Sequence, residues 1–188
     1  MKGNLKLDDV PSWPQVIKLC KTLRRIYEKK KTIRALRDFI LISLLAKTGI
    51  RLGELLQLEK SDFNLRQGIM KIRQLKKRRD FRREVIIPPE LAPYLTLYLR
   101  SVKSRLFDMT ERNARQLVYN YTQRILGKRY RPHAFRHCFA IRILEKTRDL
   151  ELVRRILGHE NYQVLKAYLN FTLRDRKLEI IQAIQSEI

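Results

Sequence analysis

The stretch Phe39–Ala46, FILISLLA, sets the first constraint on the fold. A helix apolar all the way round has to be covered on every side. The stretch is too short to span a bilayer, which takes roughly 20 apolar residues. It lies inside a longer helical segment, about 33–48, that Gly49 stops. It therefore reads as a buried helix, and the rest of the chain has to supply its cover. At 188 residues, 44% hydrophobic and 9% aromatic, the chain suits one domain with a proper core.

The covering elements follow from local pattern. Ser12 or Pro14 opens a helix with an apolar stripe of Val16, Ile17, Leu19, Cys20, Leu23 and Ile26. Its other face holds Lys18, Lys21, Arg24 and Arg25, and Lys29–Lys31 close it. That face is either simply solvated or tracks phosphates. A short segment, RLGELLQL, starts at Arg51 and carries Glu54 one turn later. Glu54 either pairs with Arg51 at the surface or holds it in place.

Residues 61–87 change character. Ser61–Leu65, then Arg66-Gln67-Gly68, then Ile69–Arg73 read as strand, turn, strand. A basic loop, LKKRRDFRR, spans Leu75–Arg83, and EVII at Glu84–Ile87 forms a third strand ended by Pro88 and Pro89. A helix is expected from about Glu90 to Val102 with Leu91, Leu95, Leu97 and Leu99. Thr110 caps the next, toward Gly127, and its Arg112, Asn113, Arg115, Gln116, Asn120 and Gln123 could face a ligand. Another helix starts at HAFRH, another ends at Gly158, and Thr172 caps a last one with Leu178, Ile181, Ile184 and Ile188 at helical spacing. The fold class expected is α+β: mainly α-helical with a small three-stranded antiparallel sheet.

Charge narrows the partners. There are 42 Lys and Arg against 19 Asp and Glu, a formal charge of +23. Such a one-signed excess suggests a polyanionic partner, nucleic acid first and an anionic membrane surface second. The membrane reading is weakened because no long uncharged apolar stretch exists. The start, MKGNLKLDDV, shows no signal-peptide apolar core. Cys20 and Cys138 have no metal-ligand spacing and read as buried thiols of a reducing cytoplasm. Acidic residues show no clustered metal-ligand pattern, and no G-x-x-x-x-G-K-[ST] loop is present.

The chemistry-bearing residues cluster late in the chain. The three histidines, His133, His137 and His159, all lie between residues 133 and 159. His133 and Arg136 share one face of a helix at i, i+3 spacing, and Phe135 and Phe139 are expected to point the opposite way, into a core. Gly158 ends the helical run that carries Leu152, Val153, Ile156 and Leu157, so His159 follows a helix end. Tyr168 comes nine residues later. Arginine grips phosphate oxygens with paired donors, histidine exchanges a proton near neutrality, and an activated tyrosine can be a covalent nucleophile.

HAFRHCFA, then LGH, then a tyrosine nine residues on, with TGIRLGEL upstream at Thr48–Leu55, resembles the tyrosine recombinase (phage integrase) family. The resemblance covers nearly the whole chain. It implies the catalytic-domain fold of that family and a site-specific recombinase or integrase. Such an enzyme cleaves and rejoins double-stranded DNA through a 3′-phosphotyrosine, without metal, ATP or cofactor. By the same resemblance the catalytic residues are Arg51, Lys76, His133, Arg136, His159 and the nucleophile Tyr168, with Lys76 preferred to Lys77 on the basic loop. His137 fits a structural role better. Residues 1–176 would form the catalytic domain and 177–188 a C-terminal helix that docks in trans. The protein would be monomeric when free and form a tetrameric synapse on DNA, in the cytoplasm with the nucleoid. The match begins almost at Val10, so the chain is expected to be a catalytic fragment or a short enzyme. The alternatives are a type IB topoisomerase-like relaxing activity and a non-catalytic DNA-binding protein.

Overall fold

The apolar helix is where the sequence puts it. In the computed structural model, which describes residues 9–73 and 82–158, Ile33–Thr48 forms α2, and every residue from Asp38 to Ala46 is buried. Thr32 caps its start, and Gly49 ends it in the left-handed conformation, φ +65°. Trp13–Lys30 (α1) packs along it. A reciprocal cap opens α1: the Ser12 hydroxyl accepts from the Gln15 N–H, and the Gln15 side chain accepts from the Ser12 N–H. Both sequence signals for this start were therefore in use, with Ser12 as cap and Pro14 inside the first turn. Val16, Leu19, Cys20, Leu23 and Tyr27 of α1 are buried, and Lys18, Lys21, Arg24 and Arg25 are exposed.

The other helices complete the cover. Leu52–Leu56 is α3, Ala92–Ser101 is α4, Glu111–Leu126 is α5, Pro132–Thr147 is α6 and Leu150–Leu157 is α7. Besides α1, α2 packs against α3, α4 and α6, while α7 packs on α6. A 3-10 turn at Pro89–Leu91 precedes α4, so the expected single helix from Glu90 is two pieces. Leu95 and Leu99 are buried, but Leu97 is 44% exposed because it sits on the opposite face of α4. Thr110 caps α5 and Gly127 ends it, as the sequence indicated. None of the described helices is long and apolar enough to cross a membrane.

The sheet is three-stranded and antiparallel, in the order β1-β2-β3, with β1 Phe63–Asn64, β2 Ile69–Arg73 and β3 Arg82–Ile86. Two boundaries differ from expectation. The first strand is shorter than Ser61–Leu65 because Lys60–Asp62 is a 3-10 turn, and the Asp62 carboxylate accepts from the Glu59 N–H at 2.9 Å. The Asn64 side chain then accepts from the Gln67 N–H at 3.1 Å, which starts the turn early. The third strand starts earlier than Glu84: Arg82 pairs with Arg73, and Arg83 with Ile72. Met70, Ile72, Arg83 and Val85 are buried, while Lys71, Arg73, Arg82, Glu84 and Ile86 are exposed, so Arg83 occupies an inward, core-facing position.

Candidate active site

The site is built where the ends of α2 and α7 meet the starts of α3 and α6. Arg51 precedes α3 in extended conformation. Its backbone N–H donates to Glu54 Oε2 at 3.1 Å, and its Nη1 donates to Glu54 Oε1 at 2.8 Å. The Glu54 side chain is 1% exposed and that of Arg51 33% exposed. Of the two sequence-based alternatives, the structure selects the holding role: a buried carboxylate anchors a partly exposed arginine.

Arg83 is the residue that the sequence reading missed. The sequence alone puts it at the end of the basic loop Leu75–Arg83. It is instead buried, and its Nη1 and Nη2 donate to Glu54 Oε1 and Oε2 at 3.3 and 2.9 Å. Its Nε donates to the Ile156 carbonyl at 3.3 Å. The missed signal was alternation: once the strand starts at Arg82, Arg83 falls on the same side as Val85. Burial pushes the Glu54 carboxyl upward, but the hydrogen bond and charge of Arg83, and then those of Arg51, outweigh it and hold the group below the ordinary range.

Arg136 also departs from expectation. It was placed with His133 on a face turned away from Phe135 and Phe139, yet it is 1% exposed and as buried as Phe135. A buried guanidinium is tolerated only when its donors are used. Nη1 donates to the Gly49 carbonyl at 2.6 Å and Nη2 to the Leu157 carbonyl at 2.7 Å. Those carbonyls end α2 and α7, where a cation is also favoured by the helix dipole. Arg83 and Arg136 thus hold successive carbonyls, Ile156 and Leu157, of the last turn of α7.

Gly49 is indispensable to this join. Its φ of +65° suits glycine. A Cβ there would lie 2.6 Å from Phe139 Cδ1 and 2.7 Å from Leu157 Cδ2. The absence of a side chain lets the end of α2 approach α6 and α7 closely enough for Arg136 to reach both carbonyls.

His133 lies exposed in the first turn of α6, after Pro132. Its ring meets that of His137 edge-on, with centroids 4.5 Å apart. Partial desolvation, then the charges of Arg136 and Arg51, lower its pKa, so the imidazole is neutral at pH 7. Arg51, Arg136 and His133 are therefore brought together, as the sequence indicated. His137 is half-buried, and burial with the His133 and Arg136 charges pushes it down to about 4. Lys76, Lys77, His159, Tyr168 and the helix expected from Thr172 lie outside the described residues.

A helical domain with a small three-stranded sheet, and two arginines and a histidine converging at helix ends, is the catalytic-domain architecture of a tyrosine recombinase. Residues 17–173 match the phage integrase family, and the chain belongs to it. It is similar to the tyrosine recombinase XerA of Thermococcus kodakarensis, 30% identical over 168 residues that cover 80% of this chain and 58% of that protein. Tyrosine recombinase XerD of Staphylococcus haemolyticus is 32% identical over 185 residues, covering 89% of this chain and 59% of the relative. The chain thus spans 58–59% of the length of these curated relatives. Among solved structures, XerA recombinase superposes with a TM-score of 0.73 at 25% identity, over 90% of this chain and 64% of that one. XerH site-specific recombinase, bound to palindromic difH substrate in a post-cleavage complex, gives 0.78 at 24% identity, over 95% and 54%.

Proposed function

We propose that the chain is the DNA-breaking and rejoining part of a site-specific recombinase or integrase that acts on double-stranded DNA. Tyr168 Oη attacks a backbone phosphorus, the bond to the 5′-oxygen breaks, and a 3′-phosphotyrosine forms. Neutral His133 takes the tyrosyl proton. Lys76 gives a proton to the departing 5′-oxygen, and His159 donates a hydrogen bond to the phosphate. Arg51 and Arg136 stabilise the charge that develops on the non-bridging oxygens. Attack by another 5′-hydroxyl reverses these steps on a new strand. The phosphodiester energy is retained, so neither ATP nor a metal ion is needed.

The observation that carries this reading is the convergence of Arg51, Arg136 and His133, with Arg51 anchored by a buried carboxylate. A cation fixed in place beforehand needs no reorganisation when charge develops. Arg136, shielded from water, acts on nearby charge with little screening. The exposed cations of α1 and the polar face of α5 supply phosphate contacts. Residues 1–176 form the catalytic domain. Residues 177–188 dock on a neighbouring protomer when a tetramer assembles on DNA, from a protein monomeric when free and cytoplasmic in the cell. Deleting 177–188 should spare half-site binding and abolish the pairing of sites; paired sites that persist without this segment would refute the docking role.

The test is a nicked suicide substrate incubated with the protein in EDTA without ATP. A covalent protein–DNA adduct should accumulate, vanish in Tyr168→Phe and persist in Tyr162→Phe. A strict magnesium requirement, or adducts that survive Tyr168→Phe, would overturn the mechanism.

A further inference from the structure

Arg83 is difficult to account for by stability alone. A buried ion pair often contributes no more than apolar residues of similar volume would in its place, and the neighbours of Arg83 on the inner sheet face are Ile72 and Val85. Its donors nevertheless join three separate parts of the chain. The fork takes both oxygens of Glu54, 29 residues away, and Nε takes the Ile156 carbonyl, 73 residues away. Only arginine presents a planar fork with a further donor. Glu54 is the same carboxylate that holds Arg51.

We infer that Arg83 is a positioning residue for the reaction: it locks Glu54 and the last turn of α7 together, and so fixes Arg51 relative to the start of the segment beyond Gly158. It also occupies the Glu54 charge. Without Arg83, Glu54 would have Arg51 as its sole cationic partner among the described residues, and the pair would offer an incoming phosphate much less positive charge. With Arg83 present, one carboxylate is shared between two guanidiniums, and the partly exposed one keeps a net attraction for an anion. The activity test rests on the strand-transfer reading, so a second readout is independent of it.

Charge and geometry separate in three variants. Glu54 is faced by Arg83 from β3 and by Arg51 from the start of its own helix, and Arg83 acts on it more strongly than Arg51. In Arg83→Met, burial is opposed only by Arg51, so Glu54 takes up a proton at higher pH and releases Arg51. Single-turnover cleavage should fall roughly 100-fold, the scale of losing one well-aimed stabilising donor. Its acid-side decline should move up by about one pH unit relative to the wild type. Arg83→Lys keeps the charge and loses the fork, so it should restore the wild-type acid limb with only part of the rate. His133 loses the lowering effect of the Arg51 charge where Arg51 is released, so in Arg83→Met it moves the acid limb upward together with Glu54, and in Arg83→Lys it keeps that charge.

Glu54→Gln/Arg83→Met removes both charges and so guards against a variant that fails to fold. It should be no slower than Arg83→Met, because residues acting in one network are not additive. An unmoved acid limb in Arg83→Met, an Arg83→Lys limb as displaced as that of Arg83→Met, or a double variant with multiplied losses would overturn the inference. If the wild type forms no adduct at all, the strand-transfer reading falls, and the NMR signal of the Arg51 guanidinium decides. That signal should shift and exchange faster with water in Arg83→Met and not in Arg83→Lys; an unchanged signal would remove the positioning role.

Discussion

Arg136 and Arg25 are the same residue type in opposite surroundings. Arg136 is 1% exposed, spans two helix ends and donates to two main-chain carbonyls. Arg25 lies on the exposed face of α1 beside Lys18, Lys21 and Arg24, of which Arg24 makes a long 3.5 Å pair with Glu28. Arg83 belongs with the first, and most of the described lysines and arginines belong with the second. A buried arginine is costly to place and costly to remove, whereas an exposed one costs little either way. The buried arginines fix geometry; the exposed cations supply a field that salt screens.

Removing a buried arginine should have the largest effect on the fold. Arg136→Met strands the Gly49 and Leu157 carbonyls, and a loss of about 3 kcal/mol or more is expected. In a chain of this size that lowers the thermal midpoint by roughly 10 °C. A midpoint shifted by less than about 2 °C would mean that Arg136 does not join the helix ends.

Gly49→Ala should rank next. The left-handed backbone and the contacts with Phe139 and Leu157 together cost about 3 kcal/mol. Gly68 supplies the control, since its φ is +67° and nothing lies within 4 Å of where a Cβ would stand. Gly68→Ala should therefore cost only about 1 kcal/mol, and the difference between the two midpoints measures the packing at the α2–α6–α7 join. Equal losses would remove the close approach from the account.

The acid response is smaller. His137, with its folded pKa at about 4 against an ordinary 6.5, stays neutral in the fold where the unfolded chain takes up a proton. Its contribution is complete above pH 6.5 and is lost as pH falls from there toward 4, by about 2 kcal/mol between pH 7 and pH 5. His133 acts in the same direction. Glu54, whose pKa is lowered, contributes above its ordinary 4.5 and loses that contribution only below it. Urea unfolding at pH 7 and pH 5 should show the drop in the wild type and a smaller one in His137→Asn; equal drops would remove His137 as its source. Last come single changes on α1: Lys18→Ala or Arg25→Ala should alter stability by no more than about 0.5 kcal/mol.

Local and non-local features of this chain differ in how legible they are in the sequence. The apolar run of α2, the Ser12 and Thr110 caps and the glycine stops are local, and local pattern located them. The grouping of His133 with Arg51 and Arg136 was legible too, through motif order. Burial of Arg83 and Arg136 is not local. It depends on carbonyls at Gly49, Ile156 and Leu157 that only the folded chain brings within reach. The Arg83 signal was available in strand alternation but was hidden by a run of basic residues that read as one loop. Arg136 gave no such signal, because an arginine one turn from a histidine reads as a polar face until the ends of two other helices close over it.

The division of labour between the two kinds of cation is tested most directly by measuring DNA affinity and single-turnover cleavage on the same variants. Arg51→Ala should lower cleavage at saturating DNA by about 100-fold or more, with Kd changed by no more than about threefold because one phosphate contact is lost among many. Lys21→Ala/Arg25→Ala should weaken binding by roughly tenfold and reduce the salt dependence of log Kd by about two, with the saturated cleavage rate nearly intact. If Arg51→Ala instead loses affinity by the same factor as rate, Arg51 is a binding contact like those on α1, and the account of a geometry-fixing cluster is wrong.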